Sequence, residues 1–294
     1  MVNKLLKPTQ KDQVQPFDTI VVSGRIGIVD DALIRYLEKL ANMTNQLLIH
    51  VPESIYTEIV PQHHIQEFLA VLSMVDGILK TQSEIENTIA SPNTMYVHLP
   101  EQQLQQFSLE RIAKKVRIRK KIVQEGNDKV IALDSLRNNN PPNSSKTKIG
   151  LITGVFDLIH LGHVWLINTA KEFADITVVA IMSDASINKL EKNVLGDRPI
   201  YSEAERIKVL SSLRTVDHLV VFDSINCKTV IRAIKPKFFM KHEKDMSRQI
   251  VTEECKLAES LGGKTIITTD NVGYSSTDII CYIRNKWQKK KLVI

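Results

Sequence analysis

The residues whose types and spacing most directly offer chemistry lie in Gly150-Leu-Ile-Thr153-Gly154-Val155-Phe156-Asp157-Leu-Ile-His160-Leu-Gly162-His163. The stretch opens as an apolar, turn-bounded run, as a buried parallel strand does. It breaks at Thr153-Gly154 and passes into the helical spacing of Val164 to Phe173. Both histidines therefore fall where a strand hands over to a helix. Such a junction exposes free backbone N–H groups and the positive end of a helix dipole, and so suits polyphosphate. Two imidazoles there can donate hydrogen bonds to phosphate oxygens and offset charge that develops during transfer. Gly162 lets the backbone come close. Alone, a pair of histidines would serve a metal site or a solvated surface equally well. The context Gly-Val-Phe-Asp-x-x-His-x-Gly-His is what points to phosphate.

The elements that must position this pair can be read from the pattern of the second half. Strands are expected over 148–153, 177–182, 219–222, 238–240 and 265–268. Helices are expected over 164–174, 202–213, 228–234, 252–261 and 276–286. This alternation predicts an α/β fold with a parallel sheet wound on both faces, and ligands bind such sheets beyond the C-terminal strand ends. The first half opens in the same way. Phe17 to Gly24 reads as a strand and turn, Asp31 to Met43 carries helical spacing, and Gln46 to Val51 is a second strand.

Laid one on the other, the halves match. Ser23-Gly24 falls on Thr153-Gly154, Val75-Asp76 on Val216-Asp217, Pro92 and His98 on Pro236 and His242, and Phe107-Ser108 on Tyr274-Ser275. Anchors in conserved order with loops missing from one copy describe a duplicated domain. The expected division is a polar lead over 1–16, a degenerate first copy over 17–123, a linker over 124–147 and an intact copy over 148–294. Arg137-Asn-Asn-Asn-Pro-Pro-Asn-Ser-Ser145 is too polar and proline-broken to pack and marks the linker. At the aligned positions the first copy has Gly27 for Asp157, Asp30 for His160, Leu33 for His163, Ile65 for Arg206 and Val97 for Lys241. With those groups gone it cannot hold a triphosphate. The expectation is two tandem Rossmann-like domains forming an intramolecular pseudo-dimer. A homodimer of such pairs follows if the first half exposes a second apolar face. His63-His64 reads as a surface pair, since no third ligand lies at metal-site spacing.

The segment from Gly150 to His163 resembles the signature of the nucleotidyltransferase superfamily, in its cytidylyltransferase-like branch. The resemblance runs on through Ser183-Asp184-Ala185-Ser186, Arg198-Pro199, Glu203-Ala-Glu205-Arg206, Met240-Lys241 and Gly273-Tyr274-Ser275-Ser276-Thr277. It is strongest to the adenylyltransferase domain that makes ADP-heptose from heptose 1-phosphate. Glycerol-phosphate and phosphoethanolamine cytidylyltransferases come next. The resemblance implies attack of a substrate phosphate on the α-phosphate of a nucleoside triphosphate, with release of pyrophosphate and Mg²⁺ as cofactor. Positioning and electrostatics carry most of such a transfer.

On that resemblance, His160 and His163 contact phosphate as transition-state stabilisers, and Lys241 joins them as a catalytic residue. Thr153, Gly154, Val155, Phe156, Asp157, Gly162 and Asp184 line the nucleotide, with Asp157 orienting His160 or helping to hold Mg²⁺ through water. Arg206 grips a phosphate or carboxylate, Lys189 or Lys192 binds phosphate, and Ser275, Ser276 and Thr277 cap the last helix and bind phosphate. No residue is assigned as a direct metal ligand. The run Lys241-His242-Glu243-Lys244-Asp245 departs from the family's Lys-Gly-x-Asp. His-x-Gly-His also occurs in class I aminoacyl-tRNA synthetases, but this half is too short for their insertions. Two alternatives stay open: a CTP-dependent enzyme acting on glycerol phosphate or a phospho-amino-alcohol, and a non-catalytic nucleotide sensor or scaffold.

Composition sets outer bounds. The chain has 294 residues, 43% of them hydrophobic and 24% charged, as an ordinary globular protein has. A net charge of +6 permits nucleic-acid binding, but the basic runs sit at expected helix ends, where cations are favoured and solvated, so no nucleic-acid partner is expected. No apolar run reaches membrane-spanning length, and Met1 to Pro16 lacks an apolar signal core, so the expectation is a cytoplasmic protein without a membrane partner. Three scattered cysteines suggest neither a zinc site nor a disulfide framework.

Overall fold

The computed structural model describes residues 17–23, 29–52, 60–91, 93–98, 147–190, 198–269 and 272–282. The linker, the turn at Gly24 to Gly27, Lys192 and the anchors at Pro92 and Phe107-Ser108 lie outside the described residues.

In the first half, β1 (Phe17–Ser23), α1 (Asp31–Ala41), β2 (Thr44–His50), α2 (Gln62–Ala70), β3 (Gly77–Leu79), α3 (Gln82–Ile89) and β4 (Thr94–His98) alternate. The second half continues with β5 (Ile149–Gly154), α4 (Leu161–Phe173), β6 (Ile176–Met182), α5 (Asp184–Ile187), α6 (Glu203–Ser211), β7 (His218–Phe222), α7 (Lys228–Ile234), β8 (Phe238–His242), α8 (Gln249–Ser260) and β9 (Lys264–Thr268). A last helix, α9, runs over 276–282. Every named strand pair is parallel. The sheet orders are β3-β2-β1-β4 and β7-β6-β5-β8-β9, so the first four strands of each half take the same arrangement.

The likeness extends to single bonds. Asp76 Oδ2 accepts from Leu47 N at 2.7 Å, and its aligned partner Asp217 Oδ2 accepts from Thr177 N at 2.7 Å. Contacts between the halves repeat the theme. Leu72 and Leu213, which the alignment superposes, form an antiparallel bridge. On either side of it Ser73 N donates to Ser212 O at 2.7 Å and Arg214 N donates to Val71 O at 2.9 Å. Each of these bonds is the other's image under exchange of the halves, as in a two-fold interface where residue i meets j and j meets i. The helices obey the same exchange, α1 packing on α6 and α2 on α4.

One apolar core runs from the first sheet through these helices to the second. It contains Ile20, Leu37 and Leu69 together with Ile152, Ile167 and Leu210. The other face of the second sheet buries Leu151, Phe239 and Val220 against Val230 and Ile231 of α7 and Cys255 and Ala258 of α8. The Lys208–Glu38 ion pair, at 2.6 Å, lies on the half-exposed rim between the halves. Among the described residues no helix is long and apolar enough to cross a membrane.

Two boundaries differ from expectation for reasons that matter to the site. α4 starts at Leu161 and not at Val164, because His160 caps it. β8 reaches His242 because the pairing with β9 continues through Lys241 and His242.

Candidate functional site

β5, the central strand of its sheet, ends at Thr153-Gly154, and the chain from there leads into α4. Phe156 then takes a left-handed backbone, φ 50°, which a bulky residue adopts only where its surroundings enforce it. Its ring, 2% exposed, folds back over Gly154. A Cβ at residue 154 would stand 3.0 Å from that ring. Glycine is therefore favoured by close approach, and Gly154→Ala is expected to cost about 1–3 kcal/mol through overpacking. Thermal unfolding of the variant measures it; an unshifted midpoint would mean that the ring moves freely.

The two histidines cap α4 with their own rings. His160 is the N-cap, with extended backbone, and its Nδ1 accepts from Gly162 N at 3.2 Å. His163 Nδ1 reaches back to accept from His160 N at 3.3 Å. This is the reciprocal geometry of a capping box, built here from imidazoles. Since each Nδ1 accepts, each neutral ring carries its proton on Nε2. The ring centroids are 4.0 Å apart, and the Phe156 ring lies 5.2 Å from that of His163. Burial in the first place, and then His160 and His242, push the His163 imidazole well below its ordinary value. The result is an uncharged N–H donor at the positive end of a helix, suited to phosphate oxygens and not to proton abstraction.

The sign of the pH effect on stability follows. Above about pH 6.5 His163 is neutral both folded and unfolded and adds no pH dependence. Below that value the unfolded chain binds a proton that the folded chain refuses, so stability falls with pH. His50, lowered by burial, acts in the same direction. Urea unfolding at pH 7.5, 6.5 and 5.5 should show the decline, and His163→Gln should flatten it. An equal slope in both proteins would mean that His163 is protonated in the fold.

Several charged residues expected to face the ligand make bonds within the protein. Arg206 is 0% exposed. Its Nε donates to Tyr201 O at 3.2 Å, one terminal nitrogen to Val155 O at 2.7 Å and the other to Asp184 Oδ1 at 2.7 Å. Its guanidinium here acts as an internal strut that braces the Val155 carbonyl. Asp184, whose Oδ2 accepts from Glu203 N at 3.0 Å, belongs to the same strut.

Asp157 is 2% exposed and accepts from Tyr201 N at 2.9 Å, not from His160. Burial raises its carboxyl above the usual range despite bonds from Tyr201 and Ile200 N–H. It ties the Gly154–His160 loop to the start of α6. Among the described residues no group of three or more His, Cys, Asp or Glu side chains is arranged to hold a metal ion.

Lys241 is 6% exposed. Its Nζ donates to Thr153 Oγ1 at 2.8 Å and pairs with Glu254 Oε2 at 3.1 Å, while Glu254 Oε1 accepts from Cys227 N at 2.8 Å. The nearly buried ammonium thus fixes the Thr153 hydroxyl. Cys227 beside this pair is a protonated thiol, pushed up to about 12 by burial.

The hydroxyl cluster divides its work. Ser276 Oγ donates to Leu158 O at 2.7 Å and pins α9 to the loop. Ser275 exchanges capping bonds with Asp278, and Thr277 Oγ1 accepts from Arg198 at 2.9 Å. Lys189 is exposed near Asp223, which accepts from Ser183 and Ser186 and is lowered by those bonds. Gly162 lies in the first turn of α4, and Val155 packs against the second core.

Three further side chains belong to this region although the sequence reading did not assign them to the site. Glu254 had a signal, being a carboxylate on the apolar stripe Val251, Cys255, Ala258 of α8. Tyr274 packs its ring on His160 at 5.6 Å between centroids. His64 is 8% exposed, not a surface residue, and lies 5.7 Å from Tyr274. Its signal was its place beside Ile65 and Phe68 on the buried stripe of α2.

Residues 151–281 match the model of the family described as cytidylyltransferase-like. The "Bifunctional protein HldE" of Desulfatibacillum aliphaticivorans is 36% identical over 138 residues, which make up 47% of this chain and 27% of that protein. The protein of the same name from Geotalea uraniireducens is 37% identical over 131 residues, 45% of this chain and 26% of its own. The chain thus spans about a quarter of the length of these curated relatives. Among solved structures, the lipopolysaccharide core biosynthesis protein from Thermoplasma volcanium GSS1 aligns at 24% identity over 42% of this chain and 95% of that one, with a TM-score of 0.34.

Proposed function

We propose, from the match of residues 151–281 to the cytidylyltransferase-like family model, that this chain is a nucleotidyltransferase that moves the nucleotidyl group of ATP onto a sugar 1-phosphate of the heptose type. An oxygen of the sugar phosphate attacks the α-phosphorus, the bond from that phosphorus to the bridging oxygen breaks, and pyrophosphate leaves. No covalent enzyme intermediate is needed, and the attacking phosphate is already ionised at neutral pH. The protein's task is to hold two anions in line and to spread the charge that builds on the transferring group.

The observation that carries this reading is the histidine capping box. Two neutral rings, locked by backbone N–H groups at Nδ1, present Nε2–H donors at one helix N-terminus. ATP and a sugar phosphate are favoured by the resemblance to heptose 1-phosphate adenylyltransferases and by the HldE relatives. Mg²⁺ belongs to the reading as the ion that accompanies a nucleoside triphosphate, held chiefly by phosphate oxygens and water. The described residues offer it no ligand set of their own. The first half is read as a degenerate copy that docks as a second subunit would. The matched sheet orders and exchanged contacts support that view. The cytoplasm, where nucleoside triphosphates are at hand, is the compartment that this reading implies.

The test is pyrophosphate release by the full chain with ATP or CTP and Mg²⁺, each offered sugar 1-phosphates, glycerol phosphate and phospho-amino-alcohols. Release with ATP and a sugar 1-phosphate is expected. Silence across the panel, with nucleotide still bound, would overturn the reading in favour of a sensor.

A further inference from the structure

We propose that His64, a side chain of the half that has lost the phosphate-binding residues, is a positioning residue for His160 and acts through Tyr274. This rests on the nucleotidyltransferase reading for its functional consequence, but its geometry stands independently. The His160 ring is held through Nδ1, which accepts from Gly162 N, and two aromatic neighbours meet its ring. On one side stands His163, with centroids 4.0 Å apart. Tyr274 also meets it, in an edge-to-face contact at 5.6 Å and 62°. Such aromatic contacts favour a particular ring orientation.

Tyr274 is itself held from the first half. Its ring meets His64 at 5.7 Å with the planes 38° apart. His64 projects from α2, whose Ile65 and Phe68 are buried in the shared core at 7% and 3% exposure. A small cavity lined by His64, Phe68, Leu158, His160, Tyr274 and Ile279 adjoins all three rings. There is thus space into which Tyr274 can tip once His64 is truncated, since a hollow left by a lost side chain is only partly filled by relaxation. Tipping Tyr274 removes one of the contacts that orient the His160 ring and shifts its Nε2–H from the position in which it would meet phosphate. A misplacement of about 1 Å at a reacting centre can cost two orders of magnitude in rate. The first half then does more than cover an apolar face. It completes the wall that aims a phosphate donor, which gives the loss of its own chemistry no bearing on whether it is needed for turnover.

The experiment compares the full chain with His64→Ala, His64→Phe and Leu72→Ala. Leu72 sits at the bridge between the halves and does not line the cavity beside Tyr274, so its truncation loosens the interface without removing a ring from that contact. Expected for His64→Ala is a fall in kcat of about ten- to a hundredfold, with KM for the nucleotide within about twofold of wild type. His64→Phe, which keeps a ring against Tyr274, should recover most of that loss. Leu72→Ala should lower the unfolding midpoint and leave the kcat of the folded protein unchanged. In parallel, the NMR resonance of the His160 Cε1–H should move in His64→Ala and return in His64→Phe, because it senses the ring current of Tyr274. Unchanged kcat in His64→Ala in an active wild type, or an equal loss in Leu72→Ala, would overturn the proposal. An unmoved His160 resonance would overturn it even if no substrate were turned over, whereas an inactive wild type with a shifted resonance would count against the enzymatic reading alone.

Discussion

In His163→Ala, pyrophosphate release is expected to slow by about a hundred- to a thousandfold, the loss that follows removal of one preorganised donor from a site of charge development. The loss should fall on kcat and kcat/KM together, because the bond strengthens as charge builds on the transferring phosphoryl group. His163 Nδ1 also accepts from His160 N, so the variant gives up one capping bond. That is worth about 1 kcal/mol and should lower the urea midpoint only slightly. His160→Ala should behave alike. The double variant should be little worse than either single one, since the rings cap one another and act as a unit. Steady-state release of pyrophosphate at saturating nucleotide, alongside urea unfolding, separates the two effects. A raised KM with unaltered kcat would move the histidines from transition-state to ground-state binding.

The largest effect on stability is expected at Glu254. Its carboxylate and the Lys241 ammonium have side chains 6% and 7% exposed and meet at 3.1 Å. In Glu254→Leu the ammonium is left in an apolar surrounding, with Thr153 Oγ1 and the face of Phe239, 4.8 Å from Nζ, for company. Breaking a buried pair by removing one partner costs about 3–5 kcal/mol, because a charge remains buried and uncompensated. The double variant Lys241→Met/Glu254→Leu removes both charges. It should recover most of that stability, since a hydrophobic pair of similar volume is often as stable as the ion pair. Urea unfolding of the three proteins forms the cycle. If Glu254→Leu unfolds at the wild-type midpoint, Lys241 has found another partner and its role at Thr153 must be revised. The recovered double variant also carries information about function. It lacks the Lys241 ammonium with its bond to the Thr153 hydroxyl and the Glu254 carboxylate that accepts from Cys227 N, so any loss of turnover in it belongs to those groups and not to an unpaired buried charge.

The contrast between these two sites shows which features are local and which are not. Residue types and their spacing along the chain determined the alternation of strands and helices, the parallel sheets, the strand-to-helix junction that carries His160 and His163, and the likeness of the halves. All of these depend on periods of two and 3.6 residues, on turn residues and on neighbours within one turn, so a short window contains their causes. Even the histidine capping box is local, since residues three apart at a helix start face one another.

Tertiary structure alone decided where the long charged side chains point. Arg206 and Lys241 occupy positions where a cation could reach phosphate, yet Arg206 turns to the Val155 carbonyl and Asp184, and Lys241 to Glu254. Asp157 likewise spends its carboxylate on Tyr201 N. Each choice depends on a partner from another segment, and a buried charge takes whichever partner the packing brings within reach, because leaving it unpaired costs far more than any local preference supplies. The meeting of His64 with Tyr274, and through it with His160, has the same character. It exists only because the two halves share one core about a two-fold arrangement, which long-range packing of apolar faces creates and no single stretch of the chain contains.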